Sequence, residues 1–301
     1  MAKLTESAML VHVRISAFSQ TKTDKKIAQE MQDARGITGD SLQAQKRLVS
    51  KHLIANVTTR LGAIRSFVYS MTLPWLDTEG LRLLAGKSFM EFDATLIKLM
   101  DDLERAVSEL ETHWPAVIQD AKVRFNGDFN PADYPDSIRD KYKVSVRYSP
   151  IASSNDIRVQ CGDSDDSTLR DKLAKDLEAT YEEAAKVATA KLCERVLEPV
   201  AHMAERLNAY TRNDIANAKG RKVEGGFRDS LVENLKEMVA SIQRLNLSND
   251  SRVEALRQRI ESDLCAFDPE TLREDADIRK ETADKAAKIA KDIQDVMSEF
   301  I

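Results

Sequence analysis

One stretch of this chain, residues 123–163, interrupts two long runs of helical periodicity, and it constrains the fold more than any other feature. It contains three of the seven prolines, the turn signal Asn126 and Gly127, and a run from Lys143 to Tyr148 in which apolar and polar residues alternate. Alternation of period two is typical of a half-buried strand, whereas apolar residues three or four apart indicate an amphipathic helix. The sequence therefore predicts a mainly helical protein with a small β-module in mid-chain.

Two long helices are predicted before this stretch. Asp40 and Ser41 can cap the first, which ends before Pro74 because the residue preceding a proline is pushed out of the α region. Ser88 can cap the second, which reaches Trp114 and is bent or interrupted by Pro115. The two helices most simply form an antiparallel hairpin.

The longest helix is predicted after this stretch, from Ser167 to Tyr210, with a kink at Pro199. At about 1.5 Å per residue, such a helix is longer than a compact domain is wide. Either the helical hairpin or a second copy of the chain should pack along it, and we expect a homo-oligomer. Asp268 as a cap and Pro269 at the first helical position should open the last helix.

Three segments have the alternation expected of strands: Val11–Ala17, Lys143–Tyr148 and Ile157–Cys161. An isolated two-stranded hairpin is only marginally stable, so we expect the amino-terminal strand to join the other two in one antiparallel sheet. The segment Leu76–Lys87 is expected to be a turn, and a short helix is expected near Lys25–Ala34.

Together these patterns predict a mainly α fold of the α+β class. It is an elongated bundle or coiled coil of long helices with a small antiparallel β-sheet inserted in mid-chain. Along the sequence it divides into four parts: an amino-terminal strand and connector (1–38), a helical hairpin (39–122), a β-hairpin module (123–163) and long carboxy-terminal helices (164–301).

Composition narrows the classes of function. The net charge is −5 and aromatic residues make up 6%, which disfavours a general affinity for nucleic acid phosphates or a base-stacking platform. Cys161, Cys193 and Cys265 are odd in number and far apart, which fits a reducing compartment, and we expect a cytoplasmic protein. Residues 1–14 carry charges where a signal peptide needs an apolar core, and no run of about 18 apolar residues suggests a membrane span.

The sequence offers few candidates for a catalytic or metal site. The four histidines have no i, i+4 pair, and the known glycine-rich phosphate motifs are missing. The segment Lys219–Gly226 comes nearest to a phosphate cradle but lacks a preceding strand. The acidic run Asp163–Ser167 suits the start of the following helix better than a cation site, although its carboxylates could serve a partner's metal. We expect no catalytic residues, no metal and no cofactor.

Short motifs within residues 5–215 carry a family resemblance. They are Pro74 with Trp75, Gly80 with Leu84, Tyr134 with Pro135, and Pro150 with Ile151. This pattern resembles an uncharacterised "domain of unknown function" family found in bacteria, phages and mobile elements. Its members are often encoded near a MoxR-type AAA+ ATPase and a von Willebrand factor A protein. The resemblance implies a partner or adaptor role and brings no catalytic residues with it.

The missing site motifs, the long helices and the resemblance predict a non-enzymatic scaffold or adaptor of a phage or mobile element that binds protein partners. The expected binding residues lie in the β-module and its flanking loop: Asn126, Tyr134, Arg147, Asn155 and Arg158. The alternative is a nucleic-acid-binding protein of a mobile element, with anion contacts from Lys219, Arg221 and Lys222. A helical cytolysin is disfavoured because its β-tongue would need an apolar hairpin.

Overall fold

The computed structural model describes residues 4–39, 41–76, 80–152, 167–210 and 228–300. Helix accounts for 71% of this part of the chain, which confirms the predicted mainly α fold with a small antiparallel sheet. In chain order the elements are α1 (Leu4–Ser7), β1 (Ala8–Ser16), β2 (Thr21–Thr23), α2 (Lys25–Arg35), β3 (Gln45–Arg47), α3 (Lys51–Met71), β4 (Thr72–Pro74), β5 (Leu81–Ala85), α4 (Phe89–Phe125), β6 (Lys143–Pro150), α5 (Ser167–Ala209), α6 (Ser230–Leu245), α7 (Ser251–Leu264), α8 (Pro269–Glu274) and α9 (Ala276–Ser298).

The chain forms two compact units, and each draws on non-consecutive stretches. Unit 1 comprises residues 1–12, 69–90 and 147–301, and unit 2 comprises residues 13–68 and 91–146. The boundaries fall within β1, α3, α4 and β6. The four parts predicted from the sequence follow the order of the chain, whereas the two units follow contacts between distant stretches.

The larger sheet has the strand order β4-β5-β1-β6. The prediction that the amino-terminal strand and the strand beginning at Lys143 share a sheet is confirmed. β1 pairs antiparallel with β5, with Ala8 opposite Ala85, and β4 also pairs antiparallel with β5. The third predicted strand, Ile157–Cys161, lies outside the described residues.

The prediction of a turn over Leu76–Lys87 is wrong, because this segment contains β5. Leu83, Leu84 and Ala85 are almost completely buried. A short apolar run bounded by turns fits a strand or a helical turn equally well, and only its pairing partners decide between them.

The first long helix begins at Lys51, and not at the predicted cap Asp40, which itself lies outside the described residues. The intervening segment forms β3, which pairs antiparallel with β2. Backbone hydrogen bonds from Asp24 N to Ala44 O and from Leu48 N to Gln20 O, each 2.9 Å, extend this pairing on both sides. The pairing satisfies backbone groups that a longer helix would otherwise have bonded internally. The predicted short helix is confirmed as α2.

Helix α4 runs for 37 residues and is not interrupted at Pro115, and α5 runs for 43 residues past Pro199. The end of the chain differs from the single predicted helix. Asp275 has an extended backbone, and its side chain accepts hydrogen bonds from the amides of Asp277 and Ile278. It therefore ends α8 and caps α9, because aspartate is a favourable residue at an N-cap.

Each unit has its own helical core. In unit 1, α9 packs along α5, and α6, α7 and the sheet complete the core. Buried alanines such as Ala188 and Ala286 keep the facing sides of α5 and α9 small. In unit 2, α3 and α4 form the predicted antiparallel hairpin. Phe67 stacks on Phe92 at one end, with ring centroids 5.4 Å apart, and Ser50 bonds to Asp120 at the other.

Candidate functional site

The chain between α4 and β6, residues 126–142, is a loop of unit 2 that includes three short 3-10 turns. Asn126 opens it with a φ of +46°, in the left-handed region that asparagine tolerates better than most residues. The side chain of Asn130 accepts a hydrogen bond from Ala132 N at 3.0 Å and caps the start of the second turn. Local turn chemistry therefore sets the path of this segment, which we call the 126–142 loop.

Two aromatic side chains hold the 126–142 loop from the inside. Tyr134 is 8% exposed, and its Oη donates a hydrogen bond to the carbonyl oxygen of Leu48 at 3.0 Å. Trp114 Nε1 donates to the carbonyl oxygen of Pro135 at 2.9 Å. The ring of Tyr134 also stacks on Phe129, with centroids 5.3 Å apart. Burial raises the pKa of Tyr134, so its hydroxyl keeps its proton and remains a donor at neutral pH.

A buried ion cluster fixes the 126–142 loop to the two-stranded β2–β3 sheet. The side chain of Asp133 is 1% exposed, and its Oδ1 lies 2.5 Å from Nζ of Lys22. Its Oδ2 lies 3.2 Å from Nζ of Lys46, which is also 3.2 Å from Oδ2 of Asp24. Because Oδ2 of Asp133 accepts no well-directed hydrogen bond, its contact with Lys46 is an ion pair.

The cluster stays charged at neutral pH because its members keep one another ionised. Burial alone would raise the pKa of Asp133, but the contacts with Lys22 and Lys46 outweigh burial and lower it. Burial alone would lower the pKa of Lys46, but the carboxylates of Asp133 and Asp24 outweigh it and raise the pKa. The inner side of the loop is therefore held by charge as well as by aromatic packing.

The outer side of the 126–142 loop is open to solvent. Arg139 pairs with Glu104 and Glu111, but these side chains are too exposed for their ion pairs to add much stability. The exposed residues between the end of α4 and the middle of the loop are Asn126, Gly127, Asp128, Asn130, Pro131, Ala132 and Asp136. The loop thus presents a polar tip on an ordered frame.

The structure separates the predicted binding residues. Asn126 is exposed at the start of the loop, whereas Tyr134 is an internal anchor whose ring a partner cannot reach while the loop keeps this structure. Arg147 is exposed on β6 and belongs to unit 1. The remaining predicted residues lie outside the described part of the chain: Asn155, Arg158, Lys219, Arg221 and Lys222.

A second cluster, in unit 1, was not predicted. The guanidinium Cζ atoms of Arg195 on α5 and Arg82 on β5 lie 3.7 and 5.4 Å from the ring centroid of Tyr69. Arg195 Nη1 donates to the carbonyl oxygen of Tyr69 at 2.8 Å. Arg82 donates to Thr72, from Nε to Oγ1 at 2.5 Å and from Nη2 to the carbonyl oxygen at 3.1 Å. No sequence motif links these positions, because tertiary folding alone brings them together.

An open cavity of about 660 Å³ in unit 1 is lined mainly by carboxylates, and one of them, Asp229, is paired with Arg273. No group of three or more His, Cys, Asp or Glu residues in the described ranges has the arrangement of a metal site. In the same ranges no helix is both long and apolar enough to pass through a bilayer.

Comparison of the chain with models of protein families, with curated proteins and with solved structures finds no match.

Proposed function

We propose that the chain is a non-enzymatic adaptor of a phage or mobile element that binds a protein partner through the 126–142 loop. The supporting observation is the contrast within this loop: buried aromatic and ionic contacts lock its inner side, while most of residues 126–132 are exposed. A loop that is already ordered loses little conformational entropy when a partner docks. Loops on a rigid scaffold are also frequent recognition sites.

The partner that the family resemblance implies is a MoxR-type AAA+ ATPase or a von Willebrand factor A protein. The long helices α4 and α5 suit a scaffold, because they offer extended faces of mixed charge. The nucleic-acid alternative gains no support from the described residues, since its basic turn lies outside them. The free thiols of Cys193 and Cys265 fit the proposed cytoplasmic location.

The binding proposal can be tested with two matched triple variants. The loop variant Asn126→Gly, Asp136→Ala and Lys141→Ala removes three exposed side chains of the loop, and glycine preserves the left-handed backbone at position 126. Exposed substitutions of this kind usually change stability by less than about 0.5 kcal/mol each. Binding to a purified MoxR-type ATPase from the same genome is measured by biolayer interferometry.

The control variant carries Ser66→Ala, Lys98→Ala and Asp101→Ala, at exposed helical positions of unit 2. It leaves the net charge unchanged, as the loop variant does. We expect the loop variant to bind the ATPase at least tenfold more weakly and the control to bind like the wild type. Equal binding by all three proteins would exclude the loop as the recognition site.

Self-association is a further part of the proposal, but its basis differs from the sequence argument. Helix α9 packs along α5, and α6 also contacts α5, so the long helix does not require a second copy to cover it. The supporting observation is instead on α4, where Met90 is 76% exposed and Ile97 is 51% exposed. They are separated by about two helical turns and so share one side of the helix.

Light scattering tests self-association. We expect a mass above the 33.8 kDa of one chain, and a return to that mass when Met90 and Ile97 are both changed to serine. A mass of 33.8 kDa at all concentrations would contradict self-association without affecting the binding proposal.

A further inference from the structure

The arginine pair at Tyr69 has more positive charge than its surroundings neutralise. Among the described residues, neither Arg82 nor Arg195 has a carboxylate within ion-pair distance. The charge of Glu194 acts on Arg195 and raises its pKa, but the carboxylate of Glu194 is itself paired with Lys191 at 2.6 Å. Partly buried arginines usually pair with carboxylates or with an anionic ligand.

Most of the hydrogen-bonding capacity of the pair is also unused. Each guanidinium carries five N–H donors. Within the described part of the chain, only Nε and Nη2 of Arg82 and Nη1 of Arg195 donate hydrogen bonds, and all three acceptors are neutral oxygens of Thr72 and Tyr69. These bonds hold the two side chains in place and leave their other donors available to a ligand.

The electrostatic state of both groups agrees with this geometry. Burial lowers the pKa of Arg82, and the charge of Arg195 lowers it further. Burial likewise lowers the pKa of Arg195, although Tyr69 and Glu194 partly oppose this. Both guanidinium groups remain charged, so a bound anion would relieve their repulsion.

Tyr69 makes the cluster accessible to a ligand. Its side chain lies at the end of α3 and is 55% exposed, so the cluster reaches the surface of unit 1. Arg82 approaches the ring from a strand and Arg195 from a helix, and cation–π contacts fix both positions. The donors are therefore preorganised on two different elements.

We propose that Arg82 and Arg195 form a binding site for a phosphate group, either free or carried by a small organic molecule. A planar carboxylate is satisfied by one guanidinium fork. Two forks on separate elements suit a tetrahedral anion whose several oxygens point in different directions, and two positive charges suit its charge of about −1.5 to −2 at neutral pH. This site is independent of the proposed adaptor function.

The test is a titration of the full chain with inorganic phosphate at constant ionic strength. Binding is measured by the broadening of the ³¹P signal and by the change in the midpoint of thermal unfolding. For an anion of this size we expect a Kd on the order of millimolar. Arg195→Gln removes one charge and should weaken phosphate binding at least tenfold. Arg195→Lys keeps the charge but loses the planar guanidinium, so its affinity for phosphate should lie between those of the wild type and Arg195→Gln.

The matched control is Arg257→Gln. Arg257 also belongs to unit 1, but it is paired with Glu254 and Glu261, so its loss should leave phosphate binding unchanged. The Arg195 variants leave the sheet untouched, and this avoids the risk that an Arg82 variant disturbs the bonds to Thr72 and the folding of β4 and β5.

Further ligands identify the source of the phosphate. Adenosine monophosphate or glucose 6-phosphate binding at least tenfold tighter than inorganic phosphate would assign the site to an organic phosphate, and equal affinity would assign it to free phosphate. Acetate binding as well as phosphate would overturn the assignment. Non-saturable binding, or binding unaffected by Arg195→Gln, would show that the arginines are only structural.

Discussion

Replacing Asp133 with asparagine tests whether the buried ion cluster holds the 126–142 loop. The change keeps the size of the side chain but removes the negative charge opposite Lys22 and Lys46. The side chain of Lys22 is 52% exposed and can return to water, whereas that of Lys46 is 10% exposed and keeps Asp24 as its carboxylate partner. The lost stabilisation therefore comes mainly from the contact between Asp133 and Lys46.

The destabilisation caused by Asp133→Asn should lie between two limits. Breaking a fully buried ion pair by removing one partner costs about 3–5 kcal/mol, and losing an exposed pair costs at most about 1 kcal/mol. Because Lys22 is exposed and Lys46 retains Asp24, we expect Asp133→Asn to lower the free energy of unfolding of unit 2 by about 2 kcal/mol at neutral pH.

The loss of stability caused by Asp133→Asn should become smaller as pH falls. The pKa of Asp133 is lowered in the folded protein, so its carboxylate stabilises the fold fully above the unfolded value of about 3.9. This stabilisation is lost as pH falls through the folded pKa. The wild type and Asp133→Asn should therefore differ most near neutral pH, and their stabilities should converge below about pH 4.

Trp114 provides the assay, since its indole bonds to Pro135 in the loop. In a Trp75→Phe background, its fluorescence during urea denaturation reports on unit 2 alone. The control, Asp136→Asn, changes an exposed carboxylate of the same loop and should cost less than about 0.5 kcal/mol. If Asp133→Asn costs no more than this control, or costs the same at pH 3 as at pH 7, the ion cluster does not hold the loop.

Three further predictions concern single residues. Tyr134→Phe should destabilise unit 2 by only about 1 kcal/mol in the same assay, because the carbonyl of Leu48 also accepts from Arg124 Nη2 at 2.9 Å; a loss above about 3 kcal/mol would mean that the carbonyl is left unsatisfied. Pro115→Ala should stabilise unit 2 by about 1–3 kcal/mol, since it restores an amide donor in an exposed stretch of the continuous helix α4; no gain would indicate that the helix is adapted to proline. Burial raises the pKa of Cys193 to about 11, so its alkylation by iodoacetamide at pH 8 should be about two hundredfold slower in the folded protein than in urea, and comparable rates would refute its burial.

Features set by neighbouring residues could be read from the sequence. Asp24 caps α2 by accepting from the amides of Lys26 and Ile27, and Asp268 with Pro269 opens a helix as expected, although this helix is α8 and not the last one. The alternation of Val144 and its neighbours predicted β6, and helical periodicity predicted α5 almost to its ends. Capping, fixed proline geometry and apolar periodicity all act within a few residues, so they leave a local signal.

The 126–142 loop shows which features such local signals cannot predict. The turn at Asn126 was evident, because asparagine followed by glycine favours a left-handed backbone. The burial of Tyr134 was not, since it depends on Leu48 and Trp114, which are distant in sequence. A tyrosine beside a proline in a polar segment looks equally suited to packing or to binding until its neighbours in space are known.

By itself, then, the sequence determined the helical class, the long helices, the mid-chain strand and the cap at Asp268, because each arises from short-range backbone and side-chain preferences. Only the tertiary structure decided that Leu81–Ala85 forms a strand, that Gln45–Arg47 pairs with β2, and that Arg82 and Arg195 meet at Tyr69. These outcomes depend on contacts between stretches far apart in the chain. The free energy of such contacts comes from burial and charge pairing that exist only once the chain has folded.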